Sequence, residues 1–287
     1  MKYKPTGDLK KLVDLGKSNS RVLASVERFV ISKPQENDRR TDVLHPSAMA
    51  KADWCHRASF FELTGRKPAP SKYGRSLRMD NVFQNGHDMH ARWQNYFGEM
   101  NRLYGIWECT GCGLREWGLR TDIHVCNDLP PVYREVALKY EPLRIHGHAD
   151  GWLKGFGDPL LLELKSVGAG TARFEDPDLF YKHDGNPTKI WDNIKNPFYS
   201  HIQQAQIYMK LMELLELSDA PQEAIFIYEN KGTQEAKEFI MAKSDFSIAP
   251  IFEAAQMIID AIGVDSPPMC NINGIAGCAQ CSYHTED

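Results

Sequence analysis

The spacing of hydrophobic positions changes along this chain, and the change divides it. Between Ser47 and Gly65, Met49, Trp54, Phe60 and Phe61 recur near a helical period; Ser47 reads as an N-cap and Gly65 as the stop. From about Asn81 to Tyr104, Phe83, His87, His90 and Phe97 fall along one side, which predicts a second helix. The period then drops to two. Val132 to Tyr140 and Arg144 to Leu153 predict two strands joined by a turn at Glu141-Pro142. Leu160 to Ser166 is a third strand, and its near-continuous apolar start suits the centre of a sheet. A long loop to about Pro197 leads into a helix from Tyr199 to Leu217. Glu223 to Glu229 and Glu238 to Ala242 add strands, and Ile251 to Ile262 an amphipathic helix. Two stretches lack a period. Residues 1–45 are charged, with a helical hint at Leu9, Leu12 and Leu15 and a loop from Lys33 to Arg40; Gly105 to Pro131 is rich in Gly and Cys and reads as an insertion.

The elements add up to an α/β fold with a central mixed β-sheet flanked by helices. At 287 residues the chain has room for one large domain. We divide it into an N-terminal helical part (1–104), a cysteine-rich insertion (105–131), a core (132–266) and a tail (267–287). With 42% hydrophobic and 25% charged residues it has globular proportions. The longest apolar runs, such as Leu160-Leu161-Leu162, are too short to span a bilayer, and the N-terminus lacks the apolar stretch of a secretory signal, so a cytoplasmic protein without a membrane partner is expected. A net charge of −4 means that any nucleic-acid role must rest on a local site.

Seven cysteines cannot all pair, and in a reducing compartment they are better read as thiols or metal ligands. Cys109-Thr110-Gly111-Cys112-Gly113 has the spacing and glycines of a zinc knuckle, with Cys126 as third ligand. His124 is the nearest fourth ligand, although one residue between it and Cys126 is an unusual separation. Cys55 stands alone, and Cys270, Cys278 and Cys281 lie in the tail.

The chemistry concentrates at Gly147-His148-Ala149-Asp150 and, a hairpin later, Glu163-Leu164-Lys165. Residues two apart on a strand share a face, so Glu163 and Lys165 point together, and Asp150 on the neighbouring strand can reach the same spot. Two carboxylates beside a lysine suit a hard divalent cation and a metal-activated water; a surface salt bridge is the plainer explanation of the E-x-K alone. Gln204 and Tyr208, four apart on the next helix, share a face.

Taken in order, Gly86 to His90, Glu135, Gly147 to Asp150, Glu163 to Lys165 and Gln204 to Tyr208 resemble the motif set of the RecB-like branch of the PD-(D/E)xK nuclease superfamily, which includes CRISPR-adaptation and phage exonucleases. Trp54, Cys55 and Arg57 resemble that family's opening cysteine helix. The resemblance implies a single nuclease domain with a restriction-endonuclease-like core, a zinc-knuckle-like insertion and a cysteine-bearing C-terminal tail. It implies Mg²⁺ or Mn²⁺ held by His90, Asp150, Glu163 and the main-chain carbonyl of Leu164. Lys165 would act on the attacking water, and Gln204 and Tyr208 would contact substrate or support the site. Glu135 has no settled role. It also implies a 4Fe–4S cluster on Cys55, Cys270, Cys278 and Cys281, with zinc as the alternative.

The function expected is a metal-dependent deoxyribonuclease, an exonuclease acting on single-stranded or end-bearing DNA. The basic loop with Lys67, Lys72, Arg75 and Arg78 would track the backbone. Arg115, Arg120 and Trp117 of the insertion would guide a strand. No helicase motif is present, so unwinding would fall to a helicase or recombination partner. The competing readings are a non-catalytic DNA-binding or assembly factor and a structure-specific endonuclease. A phage-infected or bacterial cell is the expected setting.

Overall fold

The computed structural model describes residues 21–33, 40–68, 76–272 and 283. Leu9, Leu12 and Leu15, the loop residues 34–39, Lys72 and Arg75, and Cys278 and Cys281 lie outside them. The chain divides into two units, Met1–Arg39 with Ser71–His87, and Arg40–Pro70 with Asp88–Asp287. In the first, helix α1 (Arg21–Ser32) gathers Val22, Val26, Phe29 and Val30 at helical spacing. Helix α4 (Leu77–Glu99) begins there, with the Ser76 hydroxyl accepting the Met79 N–H at 3.2 Å.

The second unit contains everything else. Among the described residues its elements are α2 (Pro46–Met49), α3 (His56–Leu63), the rest of α4, β1 (Leu103–Glu108), β2 (Arg115–Gly118), β3 (Val132–Arg134), β4 (Val136–Tyr140), β5 (Ile145–Ala149), β6 (Gly151–Leu153) and β7 (Leu160–Val167). Helices α5 (Ala169–Glu175), α6 (Pro177–Lys182), α7 (Pro187–Asn193) and α8 (Tyr199–Leu214) follow, then β8 (Glu223–Asn230), β9 (Ala236–Ala242) and α9 (Asp245–Gly263). The main sheet runs β2-β1-β6-β7-β8-β9, with β3 also on β1. Its β7–β8 pair is parallel and its other pairs antiparallel, so the sheet is mixed as expected. Strands β4 and β5 form a separate two-stranded ladder.

β7 is the centre. Leu160, Leu162 and Leu164 face a cluster with Met89, Phe97, Leu103, Ile225 and Ile227, while Leu161 and Val167 face the opposite cluster with Trp152, Phe226 and Tyr228. Apolar cover on both faces explains the unbroken leucine run. Each fully buried side chain of this size contributes about 1.5–3 kcal/mol. α8 is buried nearly all round because it packs on the main sheet and on β4 and α2 together.

Several expected boundaries change. The helix predicted from Ser47 to Gly65 is two helices: the chain leaves α2 so that Trp54 enters the core, and Cys55 caps α3 by accepting the Ala58 N–H at 3.4 Å. α4 runs four residues earlier and stops at Glu99, since Asn101 is left-handed (φ +54°) and Leu103 joins β1. The aperiodic stretch 105–131 carries most of β1 and all of β2, with exposed and half-buried positions that hide the alternation. The strand predicted from Arg144 to Leu153 breaks at Asp150 into β5 and β6, which belong to different sheets. The loop after β7 holds three short helices, two of them with Asp176 and Asn186 side chains accepting N-terminal N–H groups. α9, 19 residues long, is long and apolar enough to cross a membrane, which the short apolar runs did not indicate. Its Ile248, Ala255 and Ile258 are buried in the core and it packs on α3 and α8, while most of its residues stay exposed or half-buried.

Candidate active site

The break at Asp150 places the chemistry. β6 pairs with β7 only through Leu160–Leu162, which leaves the next backbone donor of β7 open at that edge. Asp150 takes it, accepting the Leu164 N–H at 2.6 Å through Oδ2. Gly151 must follow. Its φ is +153°, and a Cβ there would lie 2.6 Å from both the Leu103 side chain and the Tyr133 hydroxyl. Gly147 has an equally specific reason: a Cβ would stand 2.7 Å from the Tyr208 ring and 2.8 Å from Pro46. The glycine and aspartate of the G-x-x-D pattern are therefore a close approach and a strand-edge ligand.

Three elements and two links between strands bring the predicted residues together. His90 on α4 lies 3.2 Å from Asp150 Oδ1 through Nδ1. His90, Glu135 and Asp150 each offer one ligand atom, all within 4.8 Å of one another. Glu135, in the link between β3 and β4, thus joins the cluster although its role was unsettled from sequence. Glu163 on β7 is 1% exposed; its Oε1 is 2.5 Å from Lys165 Nζ, and its Oε2 is buried with no hydrogen-bond partner among the described residues. Lys165 donates to Gln204 Oε1 at 3.4 Å, and Gln204 Nε2 donates to the Tyr208 hydroxyl at 3.2 Å. The result is a continuous polar chain from β7 to α8.

Burial and charge set the protonation. Burial pushes Glu163 up to about 7, against the pull of Lys165 and with the push of Asp150. Burial disfavours the charged Lys165, but Glu163 and Asp150 outweigh it and hold the amine above its ordinary value. Burial also opposes a charged His90, yet the bond to Asp150 raises it, while Asp150 itself is held low against its burial by His90. Desolvation, then the Asp150 charge, raises Glu135. Shifted groups of both signs are thus concentrated around Asp150 and Glu163.

Some supporting residues were missed. Gln94, one turn beyond His90, donates to the Asp150 main-chain oxygen at 3.0 Å; its i+4 spacing from His90 was readable. Buried Glu229 at the end of β8 accepts from Arg92 at 2.5 Å and Trp93 at 2.8 Å, clamping α4 to the sheet. An acid closing an apolar strand was its only signal. His148, in contrast, is exposed, although His146, two residues earlier on β5, is buried.

The other predicted ligands fall in two places. Cys109, Cys112, His124 and Cys126 bring their ligand atoms within 4.8 Å of one another, close enough for one metal ion. Backbone N–H groups of Cys112 and Cys126 lower the Cys109 thiol to about 6. Cys55 caps α3, and the tail is fastened there: Asn271 accepts the His56 N–H and donates to the Trp54 carbonyl, each at 2.9 Å. Arg57 donates to the Pro268 carbonyl at 3.0 Å, Cys270 is buried, and Tyr283 stacks on Phe61.

No protein-family model and no curated protein matches the chain. Solved structures do resemble it. Its structural neighbours include an alkaline exonuclease. LHK-Exo in complex with dAMP is 14% identical, with 79% of this chain and 90% of that one covered and a TM-score of 0.41. LHK-Exo from Laribacter hongkongensis, described as an alkaline exonuclease, is 13% identical over 79% and 91%, with a TM-score of 0.39. A protein designated SSO0001 is 13% identical over 82% and 84%, with a TM-score of 0.36. At this level of overlay, chemistry has to be read from the site's own side chains.

Proposed function

We propose that this protein is a metal-dependent nuclease that hydrolyses DNA phosphodiester bonds, working as an exonuclease on single-stranded or end-bearing DNA. The observation that carries this reading is the meeting of His90, Glu135 and Asp150 beside Glu163 and Lys165. The donor set fits a hard divalent cation, since it offers carboxylate oxygens and an imidazole, and the orphaned Glu163 Oε2 lacks the partner that a buried oxygen needs. His90, Asp150, Glu163 and the Leu164 carbonyl would hold Mg²⁺ or Mn²⁺, with Glu135 as a further carboxylate. N–H and C=O of one strand residue point to the same edge, so the Leu164 carbonyl shares the Asp150 side with its N–H. When bound, the ion polarises the scissile phosphate and acidifies a water.

Lys165, kept charged by Glu163, orients the attacking water and offsets phosphate charge. Gln204 steadies the amine, and Tyr208 steadies Gln204. Hydrolysis leaves a phosphate on one fragment and a hydroxyl on the other. On the same reading, Cys55 and Cys270 with Cys278 and Cys281 hold a 4Fe–4S cluster, or zinc. The hydrogen bonds that fasten residues 268–271 to α3 support a staple there.

End-labelled linear and circular DNA, each with Mg²⁺ and Mn²⁺, test the proposal against an Asp150→Ala control. Degradation of linear DNA with circular DNA spared is expected. Cleavage of circles would replace the exonuclease with an endonuclease, and binding without cleavage by metal-loaded wild type would leave a DNA-binding factor.

A further inference from the structure

We propose that the β1–β2 turn and the chain returning to β3 are locked by a structural Zn²⁺ on Cys109, Cys112, His124 Nε2 and Cys126, and that this ion holds Glu135 in place. A tetrahedral zinc with bonds of about 2.3 Å to sulfur has ligand–ligand edges of about 3.8 Å. Four ligand atoms within 4.8 Å of one another need contract by only about 1 Å to meet that shape. The spacing of His124 and Cys126, unusual in sequence, is workable here, because His124 Nε2 already lies 2.9 Å from Cys126 Sγ. Three thiols and an imidazole select a borderline-soft ion over Mg²⁺.

The backbone is arranged around those four atoms. The Cys126 N–H donates to Cys109 Sγ at 3.3 Å, and the Gly113 N–H returns to the Cys109 carbonyl at 2.8 Å. Gly113 is left-handed (φ +75°), and a Cβ on Gly111 would stand 2.7 Å from that of Cys126, so the turn closes directly on the returning chain. Residues 119–131 have no strand pairing of their own, only the short helical turn Arg120–Asp122. At their start they are held by the Thr121 N–H on Asn101 at 3.1 Å and by Ile123 packed in the cluster of Met89 and Trp107; beyond that, the His124 N–H to Glu116 at 2.8 Å, Thr110 to the Pro130 carbonyl at 3.2 Å and the cysteine–histidine cluster tie them down. The chain then enters β3, where Glu108 accepts from both Arg115 and Arg134 across three strands. The next residue is Glu135.

The zinc assignment is independent of the nuclease reading; the effect on Glu135 rests on it. Zinc content of the full chain is measured in wild type, Cys112→Ser, His124→Cys and Cys270→Ser. Cys112→Ser should hold one zinc fewer than wild type, His124→Cys the same number as wild type, and Cys270→Ser at least one. Wild type stripped by chelator and titrated with Co²⁺ needs no substitution. Tetrahedral thiolate bands should appear at one equivalent and shift in Co²⁺-loaded His124→Cys as the fourth ligand becomes sulfur. A zinc content in Cys112→Ser equal to that of wild type, or octahedral Co²⁺ without thiolate bands, overturns the site. Hydrogen exchange of residues 109–135 should accelerate about tenfold or more on stripping, with β7 and β8 unchanged; equal exchange overturns the link to Glu135. A zinc-loaded protein that cleaves no DNA would defeat the nuclease reading and leave the zinc standing.

Discussion

β7 and the cysteine knuckle hold their polar groups by opposite means. β7 has all eight residues paired with β8 and leucines buried on both faces, so Glu163 and Lys165 stand on a strand that cannot slip without exposing a core. The knuckle buries Cys109 and lends Ile123 to the cluster of Met89 and Trp107, while its Val125 and Leu129 are exposed. Its other constraints are a few hydrogen bonds and the convergence of three thiols and an imidazole. Apolar packing on both faces fixes a strand, whereas a small polar loop with little apolar burial gains rigidity when a metal binds such a cluster.

That contrast can be broken in several ways. The largest effect is expected at β7: Lys165→Ala or Asp150→Ala should lower kcat by about 10²–10⁴-fold, with circular dichroism unchanged. Near wild-type turnover in either variant, in Mg²⁺ and Mn²⁺, would remove that residue from the site. Gly147→Ala comes next. Its Cβ would meet Tyr208 and Pro46, both backed by packed structure, so a loss of about 1–3 kcal/mol is expected from urea unfolding.

A pH series separates the buried core from the surface. His201, buried against Tyr228, has its pKa driven well below the ordinary histidine value by desolvation and then by Lys165. The unfolded chain therefore binds this proton more readily than the folded one. Stability from this group is full above about pH 6.5 and falls on acidification, by up to about 1.4 kcal/mol per unit until the folded histidine itself titrates. Urea midpoints between pH 7 and 5 should fall, and His201→Gln should flatten the slope. The smallest effect belongs to the knuckle hairpin. Trp117 is 46% exposed beside Tyr104 and Trp152, so Trp117→Ala should weaken single-stranded DNA binding by about 1–3 kcal/mol or less. Arg115 is engaged with Glu108 and is the poorer guide for phosphate. Unchanged affinity across a salt titration would leave the hairpin a purely structural element.

Legibility in the sequence followed the same division. The leucine run of β7, the alternation of β4, and the spacing of Gln204 and Tyr208 announced their elements, because residue pattern and burial coincide there. The ligand grouping of Cys109, Cys112 and Cys126 was equally plain from local spacing. β1 and β2 were hidden by half-exposed positions, and the α2–α3 break by an apolar spacing that fits one helix as well as two. Local order and local chemistry were thus determined by the sequence itself. Only the tertiary structure decided that the strand must end at Asp150, that Glu135 stands with His90, that Gln94 and Glu229 brace α4, and that His124 Nε2 reaches the cysteines. Each of those depends on residues brought together from distant or irregular stretches of chain, where no period records which edge, face or loop will meet.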